Sequence, residues 1–131
     1  MSRLGRSTAE GPGRLLVAVY AVFALSASAR SLVQISTDFS AAPLAYTLSA
    51  VAGAVYVVAT VALARDARTL AWAAVLVELV GVVAIGTLSV LQPAGFADAT
   101  VWSRFGQGYG YVPLVLPLFG LLWLGRTKAT D

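Results

Sequence analysis

Cysteine and histidine are both absent from this chain of 131 residues, and each absence excludes a class of chemistry. Without cysteine there can be no disulfide, no thiol nucleophile and no iron–sulfur cluster. Without histidine there is no imidazole ligand for haem, no common zinc site and no imidazole proton shuttle. Only a few carboxylates and carbonyls could hold a cation, so we expect neither a metal nor a cofactor.

Charged residues are also scarce. They make up 11% of the chain, against about 25% in an ordinary soluble domain. Hydrophobic residues make up 59%, and the mean hydropathy is +0.83. Too few charges are present to cover a water-soluble globule, so we expect the lipid bilayer to be the solvent for most of the surface.

Four long apolar runs dominate what is present, and they occupy residues 15–35, 44–64, 70–91 and 109–124. A bilayer core about 30 Å thick needs roughly 20 apolar residues in a helix, and only the fourth run is slightly short of that. The runs are continuous, whereas strands of a membrane barrel would alternate. The sequence therefore predicts an all-α, four-helix transmembrane bundle over residues 14–126, with a disordered cytoplasmic tail at 1–13 and a second tail at 127–131.

The basic residues lie at the ends of the apolar runs. Seven of them fall on one predicted side: Arg3, Arg6, Arg14, Arg65, Arg68, Arg126 and Lys128. The positive-inside rule makes that side cytoplasmic and both termini internal. Because these residues form no patch interleaved with aromatic side chains, the net charge of +3 does not indicate a nucleic-acid partner.

The first run has a second interpretation. Three arginines, an apolar stretch and Ala27-Ser28-Ala29 also fit a cleaved signal peptide, which would leave three spans. Apolar character continues through Ile35, which favours a retained helix.

Glu78 is the main candidate for chemistry, because a carboxylate inside an apolar run is costly unless it is paired. At 1.5 Å per residue, Tyr56 on the preceding helix falls at a similar depth, and a Glu78–Tyr56 hydrogen bond is expected. Arg30, late in the first run, is the second candidate. It could extend to the headgroups, pair with Asp38 or Asp98, or reach Glu78. Glu78 itself is either a coupling carboxylate or a structural, hydrogen-bonded side chain.

The second outer loop combines aromatic and charged residues. Asp98, Trp102, Arg104 and Phe105 could form a short helix with Asp98 as its N-cap. Such a helix would lie at the outer membrane surface, either as an aromatic anchor or as a contact surface for a headgroup or a partner.

Glycines and prolines follow that loop. Gly108 and Gly110 precede a membrane span rather than a soluble βα unit, so they predict a hinge and not a phosphate loop. Pro113 and Pro117 each remove a backbone donor and favour a kink in the fourth helix.

The stretch DATVWSRFGQGYGYVPLVLP at 98–117 resembles a small four-helix membrane protein family of high-GC Gram-positive bacteria, and Val77-Glu78-Leu79-Val80-Gly81 is similar to it as well. The resemblance covers nearly the whole chain beyond the N-terminal tail. It implies a four-helix fold and a multi-pass location in the bacterial cytoplasmic membrane, and it implies no activity. Small multidrug exporters share the size, but their carboxylate lies in the first helix, where this chain has Arg30.

Serines such as Ser26, Ser28 and Ser49 lack a histidine or lysine partner for nucleophilic catalysis. The sequence therefore predicts a non-enzymatic membrane protein that acts as an accessory or interaction subunit, with another membrane protein or a second copy of itself as partner. The alternative is a small, dimeric, proton-coupled transporter with Glu78 as the coupling site.

Overall fold

A computed structural model describes residues 8–92 and 102–127, and the described residues form helices and turns with no strand. The helices are α1 (Pro12–Asp38), α2 (Pro43–Ala64), α3 (Arg68–Leu91) and α4 (Val112–Arg126). Short 3-10 helices follow α1 at Phe39–Ala41 and precede α4 at Ser103–Tyr109. The predicted all-α, four-helix fold is confirmed.

Helix boundaries follow local sequence. Pro12 and Pro43 lie in the first turns of α1 and α2, where the missing N–H has no intrahelical partner to lose. Between α2 and α3 the chain reverses over three residues, and Asp66 adopts a left-handed conformation with a φ of 53°. This tight turn makes α2 and α3 an antiparallel pair.

Within the described residues, three helices are long and apolar enough to cross a membrane: Pro12–Thr37, Pro43–Ala64 and Arg68–Leu91. The fourth, α4, has 15 residues. At 1.5 Å per residue it is about 22 Å long, which is less than the roughly 30 Å hydrocarbon core. The length and composition of these helices are compatible with an integral membrane protein.

Neighbouring helices pack in chain order around the bundle. α1 lies along α2, α2 packs on α3, and α3 packs on both α4 and the 3-10 helix before it. Gly53 of α2 permits close approach of α1, because a Cβ there would lie 3.0 Å from the Ser28 hydroxyl. Contact between α1 and α4 is slight by comparison, so a groove stays open between them.

The N-terminal segment differs from the predicted disordered tail over the part that the structure describes. Thr8 is fully buried, and its hydroxyl donates to the backbone oxygen of Leu63 at the end of α2. Its backbone N–H donates to the Asp66 carboxylate at 3.1 Å. α1 then begins at Pro12 rather than at the predicted residue 14 or 15. Residues 1–7 and the tail beyond residue 127 lie outside the described residues.

The residues of the predicted hinge, Gly108, Gly110, Pro113 and Pro117, belong to the 3-10 helix before α4, its C-cap, and α4 itself. Pro113 lies in the first turn of α4, where it starts the helix rather than kinking it, while Pro117 lies inside the helix and is buried. Gly110 ends the 3-10 helix in a left-handed conformation with a φ of 63°. Gly108 is part of that 3-10 helix.

Candidate functional site

Glu78 lies in the middle of α3 with no solvent-exposed surface. The hydroxyl of Tyr20, on α1, donates to Oε1 of Glu78 at 2.7 Å. Oε2 of Glu78 is also buried and has no hydrogen-bond partner among the described residues. One hydrogen bond therefore links the carboxyl group of Glu78, on α3, to α1.

The predicted hydrogen bond between Glu78 and Tyr56 is wrong, because the partner of Glu78 is Tyr20. Tyr56 lies at the predicted depth and is fully buried, but its hydroxyl accepts a hydrogen bond of 3.0 Å from the indole Nε1 of Trp102. The depth of a residue in the bundle could not distinguish Tyr56 from Tyr20 as the partner of Glu78, because Tyr20 lies at the same level on α1. The rings of Tyr20 and Tyr56 lie 6.4 Å apart, so Tyr20, Tyr56, Glu78 and Trp102 form one interior polar cluster.

Arg30 does not reach Glu78. It lies ten residues beyond Tyr20 on α1, roughly 15 Å further along the axis, and it is exposed. Since Glu78 is fully buried beside Tyr20, an ion pair between Arg30 and Glu78 is excluded in this structure. The other predicted partners of Arg30 cannot be placed, because Asp98 and the side chain of Asp38 lie outside what the structure describes.

Two glycines make room for the interior polar cluster. A Cβ on Gly81 of α3 would come within 2.6 Å of ring carbons of Trp102. A Cβ on Gly120 of α4 would lie 3.2 Å from the Tyr20 hydroxyl. These glycines let the large aromatic rings approach the helix backbones, so the cluster is built by close packing as well as by hydrogen bonds.

The described part of the α3–α4 connection (residues 102–111, hereafter the α3–α4 segment) is anchored against the second half of α3. Trp102 inserts its ring over Gly81 and is 3% exposed. The backbone N–H of Arg104 donates to the Ser89 hydroxyl at 2.8 Å. Phe105 lies over Gly86, whose absent Cβ would be 2.5 Å from the ring.

This anchoring changes the role of Trp102. The sequence places it with Asp98, Arg104 and Phe105 on a contact surface, but its indole is buried in the bundle and is not available to a partner. Arg104 is exposed and Phe105 is half-buried. Asp98, and with it most of the helix predicted over 98–105, lies outside the described residues.

The backbone of the α3–α4 segment is strained. Arg104, Phe105 and Gly106 have φ values of 51°, 61° and 85°, and Tyr111 has a φ of 62°. A non-glycine residue in the left-handed region costs of order 1–3 kcal/mol and persists only where the surroundings fix it. Gly106 could not be larger, since a Cβ would come within 2.7 Å of the Pro113 ring. The anchors on α3 therefore hold a conformation that the segment would not adopt alone.

Sequence reasoning missed Tyr20 and Ser89. A tyrosine in the first span at the level of Glu78 was a usable signal for Tyr20, because helix depth is computable from the sequence. Ser89 gave no comparable signal, since its importance depends on what the α3–α4 connection places against it. Among the described residues, no group of three potential metal ligands occurs.

Comparison of this chain with protein-family models, with curated proteins and with solved structures finds no match.

Proposed function

We propose that this protein is a non-enzymatic accessory subunit that binds a membrane-protein partner through the exposed side of the α3–α4 segment. The observation that carries the proposal is the strained conformation at Arg104, Phe105 and Tyr111. Strained residues of this kind cluster at active sites, ligand clamps and switch regions.

The anchors of the segment support a role in binding. Trp102, Phe105 and the backbone of Arg104 are all fixed to α3, so the segment is ordered before any partner arrives. A pre-ordered surface loses less conformational entropy on binding than a flexible loop. Arg104 and Tyr111, with Tyr111 46% exposed, offer a charge and an aromatic ring to a partner. Arginine and tyrosine are the side chains that most often dominate binding energy at interfaces.

The position of the segment fits such a role. It lies at the end of the bundle opposite Arg14, Arg65, Arg68 and Arg126, which together define the basic end. By the positive-inside rule the basic end faces the cytoplasm, and the α3–α4 segment faces the outside of a bacterial cytoplasmic membrane. The partner would then present a complementary surface at the outer membrane interface.

Native mass spectrometry of protein extracted gently from its own membrane tests the proposal. We expect the wild-type chain to carry a second polypeptide at a fixed ratio, and we expect Arg104→Ala and Tyr111→Ala to lose it. Arg65→Ala is the matched control, because Arg65 is equally exposed but lies in the α2–α3 turn at the basic end. A wild-type chain without a bound polypeptide, or equal loss in the Arg65→Ala variant, would reject the proposal.

A proton-coupled transporter is the second candidate, and one observation favours it. Oε2 of Glu78 is buried without a partner among the described residues, as a carboxyl group awaiting a transported cation or proton would be. Against it, Glu78 is fully buried and is not among the residues that line the groove between α1 and α4. A carboxylate sealed in this way needs a conformational change before it can exchange with water.

Glu78→Gln distinguishes the two candidates. In an accessory subunit the variant keeps its partner, because the amide oxygen still accepts from Tyr20 and the α3–α4 segment is untouched. In a transporter it abolishes pH-gradient-driven flux in proteoliposomes while the protein still inserts. Loss of flux together with an unchanged partner complex would show that both activities exist.

A further inference from the structure

A groove between α1 and α4 (the α1/α4 groove) is a feature of the bundle that the interior polar cluster and the α3–α4 segment do not explain. Its volume is about 820 Å³. That volume lies within the range of roughly 300–1,000 Å³ typical of small-molecule pockets. Its walls include Leu15 and Val19 of α1 and Val115 and Phe119 of α4.

The groove is apolar along its length and polar at one end only. Arg126 and Thr127 are the polar lining residues, and both lie where α4 reaches the basic end. α4 contributes lining from Val112 to Thr127, a distance of roughly 22 Å along its axis. That distance exceeds half of a hydrocarbon core about 30 Å thick, so one leaflet of the bilayer would fit alongside it.

The basic end of the groove is held in place. The indole Nε1 of Trp123 donates to the backbone oxygen of Thr8 at 2.8 Å, which joins α4 to the residues before α1. Arg68 donates to the backbone oxygen of Leu124 at 2.7 Å and to the hydroxyl of Thr127 at 3.1 Å. These bonds fix the C-terminal turn of α4, and so they fix the position from which Arg126 extends.

Positive charge at this end is not balanced within the described residues. Arg14, Arg65, Arg68 and Arg126 face only two acidic residues at the same end, Glu10 and Asp66. Asp66 pairs with Arg68 at 3.4 Å. Arg126 is exposed and makes no ion pair with any described residue. An uncompensated guanidinium at the mouth of an apolar groove matches a ligand with a phosphate head and an apolar tail.

We propose that the α1/α4 groove is a binding site for one anionic phospholipid of the leaflet at the basic end. Its phosphate contacts the guanidinium of Arg126, and one acyl chain lies between Leu15 and Val19 of α1 and Val115 and Phe119 of α4. The polar end of the site, at Arg126, lies at the opposite end of the bundle from the partner surface on the α3–α4 segment.

Lipid retention in nanodiscs tests this site. The full chain is reconstituted in equal amounts of phosphatidylglycerol and phosphatidylcholine, and bound lipids are counted by native mass spectrometry. We expect one retained phosphatidylglycerol in the wild type. Arg126→Gln should lower the ratio of retained phosphatidylglycerol to phosphatidylcholine about fivefold, the effect of one arginine near a membrane surface. Arg65→Gln, at the same end but outside the groove, should leave the ratio unchanged.

A second pair of variants tests the acyl-chain part of the site. Val115→Trp fills the groove from α4 and should remove the retained lipid, whereas Val83→Trp, on an exposed face of α3, should not. Equal retention of both lipids by the wild type would overturn the proposal, and so would an equal loss in the Arg65→Gln variant. A second copy of the chain, or a partner helix, crosslinked at Val115 would show that protein fills the groove instead.

Discussion

Tyr20 on α1 and Glu78 on α3, 58 positions apart, are joined by a hydrogen bond of 2.7 Å in the middle of the bundle. This bond links α1 directly to α3, and both helices also pack against α2 and α4. The Tyr20 hydroxyl is important for stability, because without it the buried carboxyl group of Glu78 has no hydrogen-bond partner among the described residues.

A double-mutant cycle should detect this bond. We expect Tyr20→Phe to destabilise the protein by about 0.6 to about 1.7 kcal/mol, the average and the maximum measured for hydrogen bonds between membrane helices. In the Glu78→Leu background the same change should cost little, because the acceptor is gone. Unfolding by a denaturing detergent, followed for both single variants and the double variant, gives the coupling energy. Costs that add within about 0.3 kcal/mol would show that the two side chains do not interact.

Gly81→Val should displace Trp102 from its position over α3. The added carbons would overlap the indole ring, and overpacking of this kind costs about 1–3 kcal/mol. Displacement of the buried indole of Trp102 into more polar surroundings should shift its fluorescence to longer wavelength. Ala84→Val is the matched control, because Ala84 lies one turn further on the exposed face of α3. An identical shift in both variants would contradict the placement of Trp102.

Ser89→Ala should loosen the α3–α4 segment without removing any of its exposed side chains. The Ser89 hydroxyl accepts from the backbone of Arg104, and one such bond contributes about 1 kcal/mol. Amide exchange in residues 102–111 should therefore accelerate about fivefold. In Thr87→Ala, which removes a hydroxyl bonded only to its own helix at Val83, exchange in the segment should not change. If the segment is the partner surface, Ser89→Ala should also weaken the partner complex.

Arg68→Lys should loosen the C-terminal turn of α4. The guanidinium of Arg68 contacts the Asp66 carboxylate and donates to Leu124 and to both oxygens of Thr127, and the ammonium of lysine cannot reproduce that planar geometry. We expect a loss of about 1.5–3 kcal/mol, typical of hydrogen bonds to a charged group. Arg65→Lys, in the α2–α3 turn just before Arg68 and exposed, should be neutral. Unfolding midpoints that fall equally in both variants would show that Arg68 does not specifically stabilise the C-terminal turn of α4.

Much of the fold follows from the sequence alone. Long apolar runs must become helices in a bilayer, because every backbone polar group has to be satisfied within the segment. Pro43 and the short Arg65–Ala67 region also indicate where helices begin and end, because proline and tight turns act locally. The sequence also identifies Glu78 as a candidate site residue, since a single carboxylate within an apolar run is costly unless it is paired.

The partner of Glu78 and the burial of Trp102 could be decided only by the tertiary structure. Several aromatic side chains lie at the depth of Glu78, and depth does not say which helix face turns inward. The selection of Tyr20 depends on how α1 and α3 approach, and the insertion of Trp102 depends on the gap above Gly81. The sequence thus determined a helical membrane protein with one interior carboxylate, because solvent and backbone physics act residue by residue. The contacts that surround that carboxylate arise from packing between distant segments, which no local pattern encodes.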